Sequence, residues 1–156
     1  MVIRRLTKED ELTDLIVLSR SFFEDYAAFH TEFFNIDVLR DEDIIGYFRG
    51  AVETDDGAAF IATHHGSIIG YVTVFVRNQE PYWTIKRIGA ISGLMVDKDY
   101  RRRGVASGLL AEARAFVEER KIKYFTVCTA TANEAAIALY ERCGMTPLYT
   151  TLIGSI

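Results

Sequence analysis

The sequence is poor in cysteine and proline, with two of each among its 156 residues. Two cysteines cannot supply the disulfide framework of a small secreted protein, and Cys128 and Cys143 lack the paired spacing of a zinc site. No apolar run approaches the ~20 residues that cross a bilayer. The first residues are too charged, and their apolar run too short, for a signal peptide. We therefore expect a cytoplasmic protein with no bound metal and no membrane contact.

The chain also lacks an excess of basic charge. Its 18 lysines and arginines are set against 22 aspartates and glutamates, which gives a net charge of −4. A net acidic protein binds nucleic acid only where its basic residues cluster, and the basic cluster here is Arg101–Arg103. We therefore do not expect a nucleic-acid partner. A length of 156 residues, 49% of them hydrophobic, suffices for one sizeable core, so we predict a single domain over residues 1–156.

Hydrophobic periodicity predicts a mixed α/β (α+β) fold. The predicted strands are Val2–Leu6, Ala58–His64, Ser67–Val76, Ile88–Val96, Lys123–Thr129 and one or two closing strands within Met145–Ile153. The predicted helices run from Thr7 to about Tyr26, from Asp41 to Val52, from Val105 to Lys121 and from Asn133 to Cys143. Gly93 lies inside a predicted strand, where glycine favours a β-bulge.

The most informative segment is the basic turn Tyr100–Gly104, which leads from a strand into an amphipathic helix. Backbone N–H groups at a helix start are unpaired and lie at the positive end of the helix dipole, so they bind phosphate. Gly104 and Ala106 leave room for a diphosphate, and Arg101–Arg103 supply charge. A solvated basic turn is an equally good interpretation of this segment alone. Neither GxxxxGK[ST] nor GxGxxG occurs, so ATP and dinucleotides are not indicated.

Two sequence blocks resemble those of the GCN5-related N-acetyltransferase (GNAT) superfamily. Arg101-x-x-Gly104-x-Ala106 is similar to the family's [QR]-x-x-G-x-[GA] acyl-CoA signature and lies, as in that family, between a central strand and a long helix. The segment from Asn133 through Tyr140 to Met145 resembles the family's N-x-x-A-x-x-L-Y-x-x-x-G-[FM] helix. The blocks occur in the family's order, and the resemblance covers the chain from about Ser67 onward. Residues 1–57 match in element order only.

The resemblance implies a fold and an activity. The fold would be a central mixed, mostly antiparallel sheet with helices on both faces. The activity would be transfer of the acetyl group of acetyl-CoA to a primary amine, by direct attack in a ternary complex. The acceptor would be a small molecule or a peptide. A homodimer is a further expectation, because dimers are common in this family.

The resemblance also implies the site residues. The central strand would carry the pantetheine through its backbone, and a backbone N–H near its end would polarise the acetyl carbonyl. Asn133 would bond the pantetheine, cap its own helix, or both. Tyr140 would be the catalytic general acid toward the CoA thiolate, whereas without the resemblance it is better interpreted as a core residue. The implied acyl-CoA-binding set is Leu94, Met95, Val96, Arg101, Arg102, Arg103, Gly104, Val105, Ala106, Ser107, Asn133 and Tyr140.

Three questions stay open at this stage. The general base has several candidates, namely Glu24, Asp25, Glu53, Glu80 and a water held by backbone groups and Ser92. A group of aromatic residues forms either the acceptor wall or core and dimer interface, namely Phe22, Phe23, Tyr26, Phe29, Phe33 and Phe34, with Tyr82 and Trp83 as further pocket candidates. The alternative function is a non-catalytic acyl-CoA-binding sensor or regulatory module.

Overall fold

The computed structural model describes all 156 residues and contains one five-stranded sheet in the order β1-β2-β3-β4-β5. The strands are β1 (Val2–Arg5), β2 (Gly57–His64), β3 (Ser67–Asn78), β4 (Arg87–Val96) and β5 (Phe125–Val127). The helices are α1 (Thr13–Ala27), α2 (Asp41–Glu53), α3 (Val105–Glu119) and α4 (Glu134–Arg142). Neighbouring strands from β1 to β4 pair antiparallel, and β5 pairs parallel with β4. The predicted mixed, mostly antiparallel sheet is confirmed.

Helices cover both faces of this sheet, as predicted. Central strands β2 and β3 are almost continuously buried, and their side chains alternate between two clusters. Ile61 and Tyr71 pack with Phe48 under α1 and α2. On the opposite face, Val72 packs with Leu109 and the rest of α3. Each large side chain removed from water in this way contributes about 1.5–3 kcal/mol of transfer free energy, so the two clusters fix the helices on the sheet.

The start of α1 differs from its prediction. Asp10 accepts hydrogen bonds from the Thr7 backbone N–H (2.8 Å) and from the Thr7 hydroxyl (3.0 Å). In a capping box the Thr hydroxyl would itself accept a hydrogen bond from the helix backbone, so only half of that motif forms. The result is a closed turn, and the helix begins at Thr13 rather than Thr7. Asp10 is also held by Arg4, whose guanidinium donates to both carboxylate oxygens.

The end of the chain also differs from its prediction. The fifth strand covers only Phe125–Val127 of the predicted Lys123–Thr129, and no strand forms within Met145–Ile153. Pro147 cannot donate a ladder hydrogen bond, and β5 offers three residues of edge to pair with. The prediction of closing strands is therefore wrong, and the residues after Met145 are exposed. No helix combines the length and the apolarity that a membrane crossing requires.

A β-bulge in β4 positions the functional site. Thr73 of β3 faces Gly93 while the next residue, Val74, faces Ile91, so Ser92 is the extra residue. The bulge predicted from Gly93 is thereby confirmed. On its other side β4 pairs with β5 only as far as Ile91. From Ser92 onward, β4 has a free edge toward α4, and a space opens between the two strands.

Candidate functional site

A cavity of about 710 Å³ occupies this space. Its walls come from the C-terminal part of α1, the free edge of β4, the start of α3, the residues after β5, and α4. Eleven of the twelve residues implied by the resemblance line this one cavity, namely Leu94, Met95, Val96, Arg101, Arg102, Gly104, Val105, Ala106, Ser107, Asn133 and Tyr140. Segments far apart in the sequence therefore meet at one site.

The first turn of α3 presents unpaired donors to the cavity. The backbone N–H groups of Val105, Ala106 and Ser107 find no acceptor within the protein, and no side chain caps the helix. Gly104, at the N-cap, has φ of 79°, a left-handed conformation that favours glycine. A β-carbon at this position would meet no atom within 4 Å. Open space beside unpaired donors at a helix N-terminus suits a bound anion.

The three arginines of the turn have three different environments. Arg101 donates to the Asp25 carboxylate at 2.8 Å and to the Val96 carbonyl at 3.0 Å, so its charge is already paired. Arg102 is exposed, lines the cavity and makes no ion pair. Arg103 is the one implied residue that does not line the cavity. Its guanidinium lies over the Tyr100 ring, 5.4 Å from the ring centroid. The structure thus separates Arg103 from the others.

Helix α4 closes the opposite wall. The Asn133 side chain accepts a hydrogen bond from the Ala136 backbone N–H at 3.3 Å, which establishes its capping role. Tyr140 lies two turns further along and lines the cavity. Burial, with a smaller contribution from Tyr26, raises the pKa of the Tyr140 phenol to about 12. The phenol therefore keeps its proton at neutral pH and is available as a hydrogen-bond donor.

Of the candidate bases, only some reach the cavity. Glu24, Asp25 and Ser92 line it, whereas Glu53 and Glu80 do not. Asp25 is bonded to Arg101 and lies 3.5 Å from the Lys98 ammonium, so its oxygens are engaged. Glu24 is exposed and forms no ion pair. The cavity thus holds no buried carboxylate that is free to accept a proton.

The aromatic group divides into two parts. Phe22, Tyr26 and Phe29 line the cavity, whereas Phe23, Phe33, Phe34, Tyr82 and Trp83 do not. Tyr26 stacks on Phe22 with ring centroids 5.1 Å apart. Its hydroxyl also accepts a hydrogen bond from the Ala130 backbone N–H at 3.2 Å. Sequence reasoning missed this link from α1 to the loop before α4, because no local pattern joins residues 104 positions apart.

Comparison with known proteins identifies the family. Residues 19–145 match the model of the acetyltransferase (GNAT) family, and the chain belongs to this family. An uncharacterized N-acetyltransferase of Methanocaldococcus jannaschii is 25% identical over 145 residues, covering 91% of this chain and 59% of the relative. The N-alpha-acetyltransferase daf-31 of Caenorhabditis elegans is 31% identical over 99 residues, covering 61% of this chain and 51% of the relative. The chain spans between half and three-fifths of these two relatives.

Solved structures show the same fold. A mutant of a Bacillus halodurans protein superposes with a TM-score of 0.87 at 18% identity, covering 100% of this chain and 99% of the other. The aminoglycoside acetyltransferase AAC(6')-Iy, solved with a bisubstrate analogue of CoA and acetylneamine, superposes with a TM-score of 0.79 at 17% identity. That likeness covers 99% of this chain and 97% of the other. At such identities the agreement concerns the fold.

Proposed function

We propose that this chain is an acetyl-CoA-dependent N-acetyltransferase whose acceptor, a primary amine, attacks the thioester directly in a ternary complex. The observation that carries the proposal is the single cavity that joins the unpaired N–H groups of α3, the free edge of β4 and Tyr140 of α4. The solved relative that holds a CoA bisubstrate analogue on the same fold supports this proposal. Residues 1–156 would act as one domain.

Different walls of the cavity suit different parts of acetyl-CoA. The diphosphate would bind the N–H groups of Val105, Ala106 and Ser107, beside the open space at Gly104. Arg102 would add charge. The pantetheine amides would bond the free backbone edge of β4 in the manner of an added strand. Acetyl-CoA would supply an activated acetyl thioester at the end of that edge.

The chain's own groups would then stabilise the transfer. A backbone N–H near Leu94, Met95 or Val96 would donate to the acetyl carbonyl as its oxygen gains negative charge. Tyr140 would donate to the sulfur as the C–S bond breaks. Because a pKa of about 12 exceeds the usual thiol value near 8.5, complete proton transfer costs on the order of 5 kcal/mol. Tyr140 would therefore act mainly by hydrogen bonding to the departing sulfur.

The relatives suggest two kinds of acceptor. N-alpha-acetyltransferases are named among the curated relatives, and aminoglycoside acetyltransferases among the solved structures. A peptide and a small-molecule amine are thus both candidates here. A homodimer and a cytoplasmic location belong to the same proposal.

Acetyl-CoA-dependent thiol release against a panel of primary amines tests the proposal. We expect release above a no-acceptor control with at least one class of amine. Release with none, although acetyl-CoA raises the melting temperature, would mean either that the panel lacks the acceptor or that the chain is an acyl-CoA sensor. Failure of acetyl-CoA to bind would contradict both functions.

A further inference from the structure

The last turn of α1 is bonded to two different walls of the cavity by two consecutive residues. The Asp25 carboxylate accepts a hydrogen bond from Arg101 at 2.8 Å, which ties α1 to the turn before α3. The Tyr26 hydroxyl accepts one from the Ala130 backbone N–H at 3.2 Å, which ties α1 to the loop before α4. The first bond acts on the proposed diphosphate site. The second acts on the wall that carries Tyr140.

The bond to Tyr26 continues into the N-terminal cap of α4. The Ala130 carbonyl accepts a hydrogen bond from the Asn133 backbone N–H at 2.9 Å, and the Asn133 side chain caps α4 by accepting from the Ala136 N–H. Hydrogen bonds therefore lead without a break from the Tyr26 hydroxyl to the first turn of α4. Tyr140 lies seven residues after Asn133, and positions seven apart share a helix face, so both residues line the cavity.

Helix α4 depends on this attachment because little else holds it. None of its residues is fully buried, and it contacts the core through partly buried side chains, among them Leu139 and Tyr140. Burial of large apolar side chains is what usually fixes a helix on its sheet. From Thr129 to Arg142, the bond between Ala130 and Tyr26 is the one hydrogen bond made with an earlier part of the chain, and no ion pair involves this segment. The position of α4 therefore depends strongly on this one bond.

The Tyr26 hydroxyl is itself held in place through its ring. The ring stacks on Phe22, with centroids 5.1 Å apart, and packs edge-to-face with Phe29 at 5.6 Å and with Phe34 at 5.1 Å. A ring packed on three sides loses little further freedom when its hydroxyl forms a hydrogen bond. Tyr26 also lies close enough to Tyr140 to contribute to the raised pKa of that phenol. The aromatic packing thus fixes the point from which α4 is held.

We propose that Tyr26 is a positioning residue that, through Ala130 and the cap of α4, sets the distance between the Tyr140 hydroxyl and the departing sulfur. The inference rests on the proposed acetyltransferase function, in which Tyr140 donates to that sulfur. A displacement of about 1 Å from the productive geometry can cost on the order of a hundredfold in rate. Because the hydrogen bond to sulfur strengthens only as the C–S bond breaks, loss of alignment lowers turnover more than it lowers the affinity for acetyl-CoA.

Two variants break the bond from opposite sides. Tyr26→Phe removes the acceptor hydroxyl and keeps the packed ring, whereas Ala130→Pro removes the donor N–H and keeps the hydroxyl. With the amine that gives the most thiol release, each should lower kcat roughly tenfold and change KM for acetyl-CoA less than about twofold. In a Tyr140→Phe background, Tyr26→Phe should lower kcat further by less than about twofold, because its effect passes through Tyr140. Equal losses in both backgrounds, or a loss in Tyr26→Phe with none in Ala130→Pro, would overturn the inference.

Asp14→Ala is the matched control for a general loosening of α1. The Asp14 side chain also accepts a hydrogen bond from the backbone N–H of a distant residue, Ile68, at 2.8 Å, but Asp14 does not line the cavity. This variant should lower the melting temperature and change kcat less than about twofold. A loss of turnover in Asp14→Ala as large as that in Tyr26→Phe would mean that α1 acts only through stability.

Hydrogen exchange gives a readout that needs no acceptor amine. Tyr26→Phe should speed exchange of the α4 amides at least about threefold and leave those of α3 unchanged, because only α4 loses an attachment. Asp14→Ala should not change exchange in α4. A wild type that releases no thiol with any amine counts against the proposed function, whereas unchanged α4 exchange in Tyr26→Phe counts against the inference whatever the turnover.

Discussion

The Arg101 guanidinium donates a hydrogen bond at 2.8 Å to the carboxylate of Asp25, a residue 76 positions earlier in the chain. The same side chain donates to the Val96 carbonyl at 3.0 Å. Arg101 therefore joins the C-terminal part of α1 to the end of β4 and holds the turn that precedes α3. Its charge is already compensated before any anion enters the cavity. Arg101 is thus placed to shape the turn that we propose binds the diphosphate, and Arg102, which makes no ion pair, is the arginine of this turn that lines the cavity.

Arg102 and Arg103 offer a matched pair of charge deletions. Arg102→Ala should weaken acetyl-CoA binding about three- to tenfold, because this side chain lines the cavity and has no ion-pair partner. Arg103→Ala removes the same charge one residue further on, where the guanidinium lies over Tyr100. It should change the affinity less than twofold. Titration calorimetry at two salt concentrations measures both. A larger loss in Arg103→Ala than in Arg102→Ala would contradict the placement of the two side chains.

Gly104 tests the open space at the start of α3. Gly104→Glu should abolish acetyl-CoA binding, because a carboxylate would occupy the space beside the unpaired N–H groups. The backbone strain of a non-glycine residue at positive φ is about 1–2 kcal/mol and must be separated from this effect. Gly66→Glu is the control, since Gly66 also has positive φ (88°), lies in the β2–β3 turn and has open space around it. Both variants should lose similar stability by thermal melting, and only Gly104→Glu should lose binding. If Gly104→Glu still binds acetyl-CoA with the wild-type affinity, the diphosphate does not bind at this turn.

Much of the fold could be predicted from the sequence because its signals are local. The helix from Asn133 to Cys143 carries its own cap at Asn133 and ends before Gly144, which has a positive φ. Strands β2 and β3 are apolar runs separated by the turn at Gly66. The start of α1 differs from its prediction because the Thr7 hydroxyl donates to Asp10 rather than accepting from the helix backbone, while Asp10 also bonds Arg4.

The site was predictable only as far as its motifs extend. The turn residues and Tyr140 form patterns along the chain, and the structure brings them to one cavity. The sequence does not predict which of the consecutive arginines lines the cavity, and only the folded turn places Arg103 over Tyr100 and Arg102 at the cavity. No sequence motif predicts the hydrogen bond between the Tyr47 and Thr73 hydroxyls. The two residues meet because α2 packs against β3 in the folded protein.

Protonation of Asp10 should destabilise the folded protein in acid. Its hydrogen bonds with Arg4, then with Thr7, hold the pKa of this carboxyl well below its usual value near 3.9. A depressed folded-state pKa contributes stability that is fully present above the unfolded value and is lost as pH falls below it. Asp10→Asn should therefore lower the free energy of unfolding by about 1–2 kcal/mol at pH 7. The difference from the wild type should shrink between about pH 4 and pH 2. Urea unfolding across this range measures it, and a difference independent of pH would contradict the ionic role of Asp10.

Tyr140 carries the sharpest test of the proposed chemistry. Tyr140→Phe removes a donor that keeps its proton at neutral pH, since burial raises the pKa of the phenol to about 12. The phenyl ring should keep its packing against the α3-side cluster, so folding and KM for acetyl-CoA should change little. Turnover should fall roughly ten- to a thousandfold, because a hydrogen bond to sulfur is gained only as the C–S bond breaks. The loss should be smaller with an acetyl thioester whose thiol has a lower pKa, since a better leaving group needs less assistance. Equal losses of turnover with both thioesters would mean that Tyr140 positions the thioester rather than assisting departure of the sulfur, and an unchanged turnover would mean that Tyr140 takes no part in the reaction.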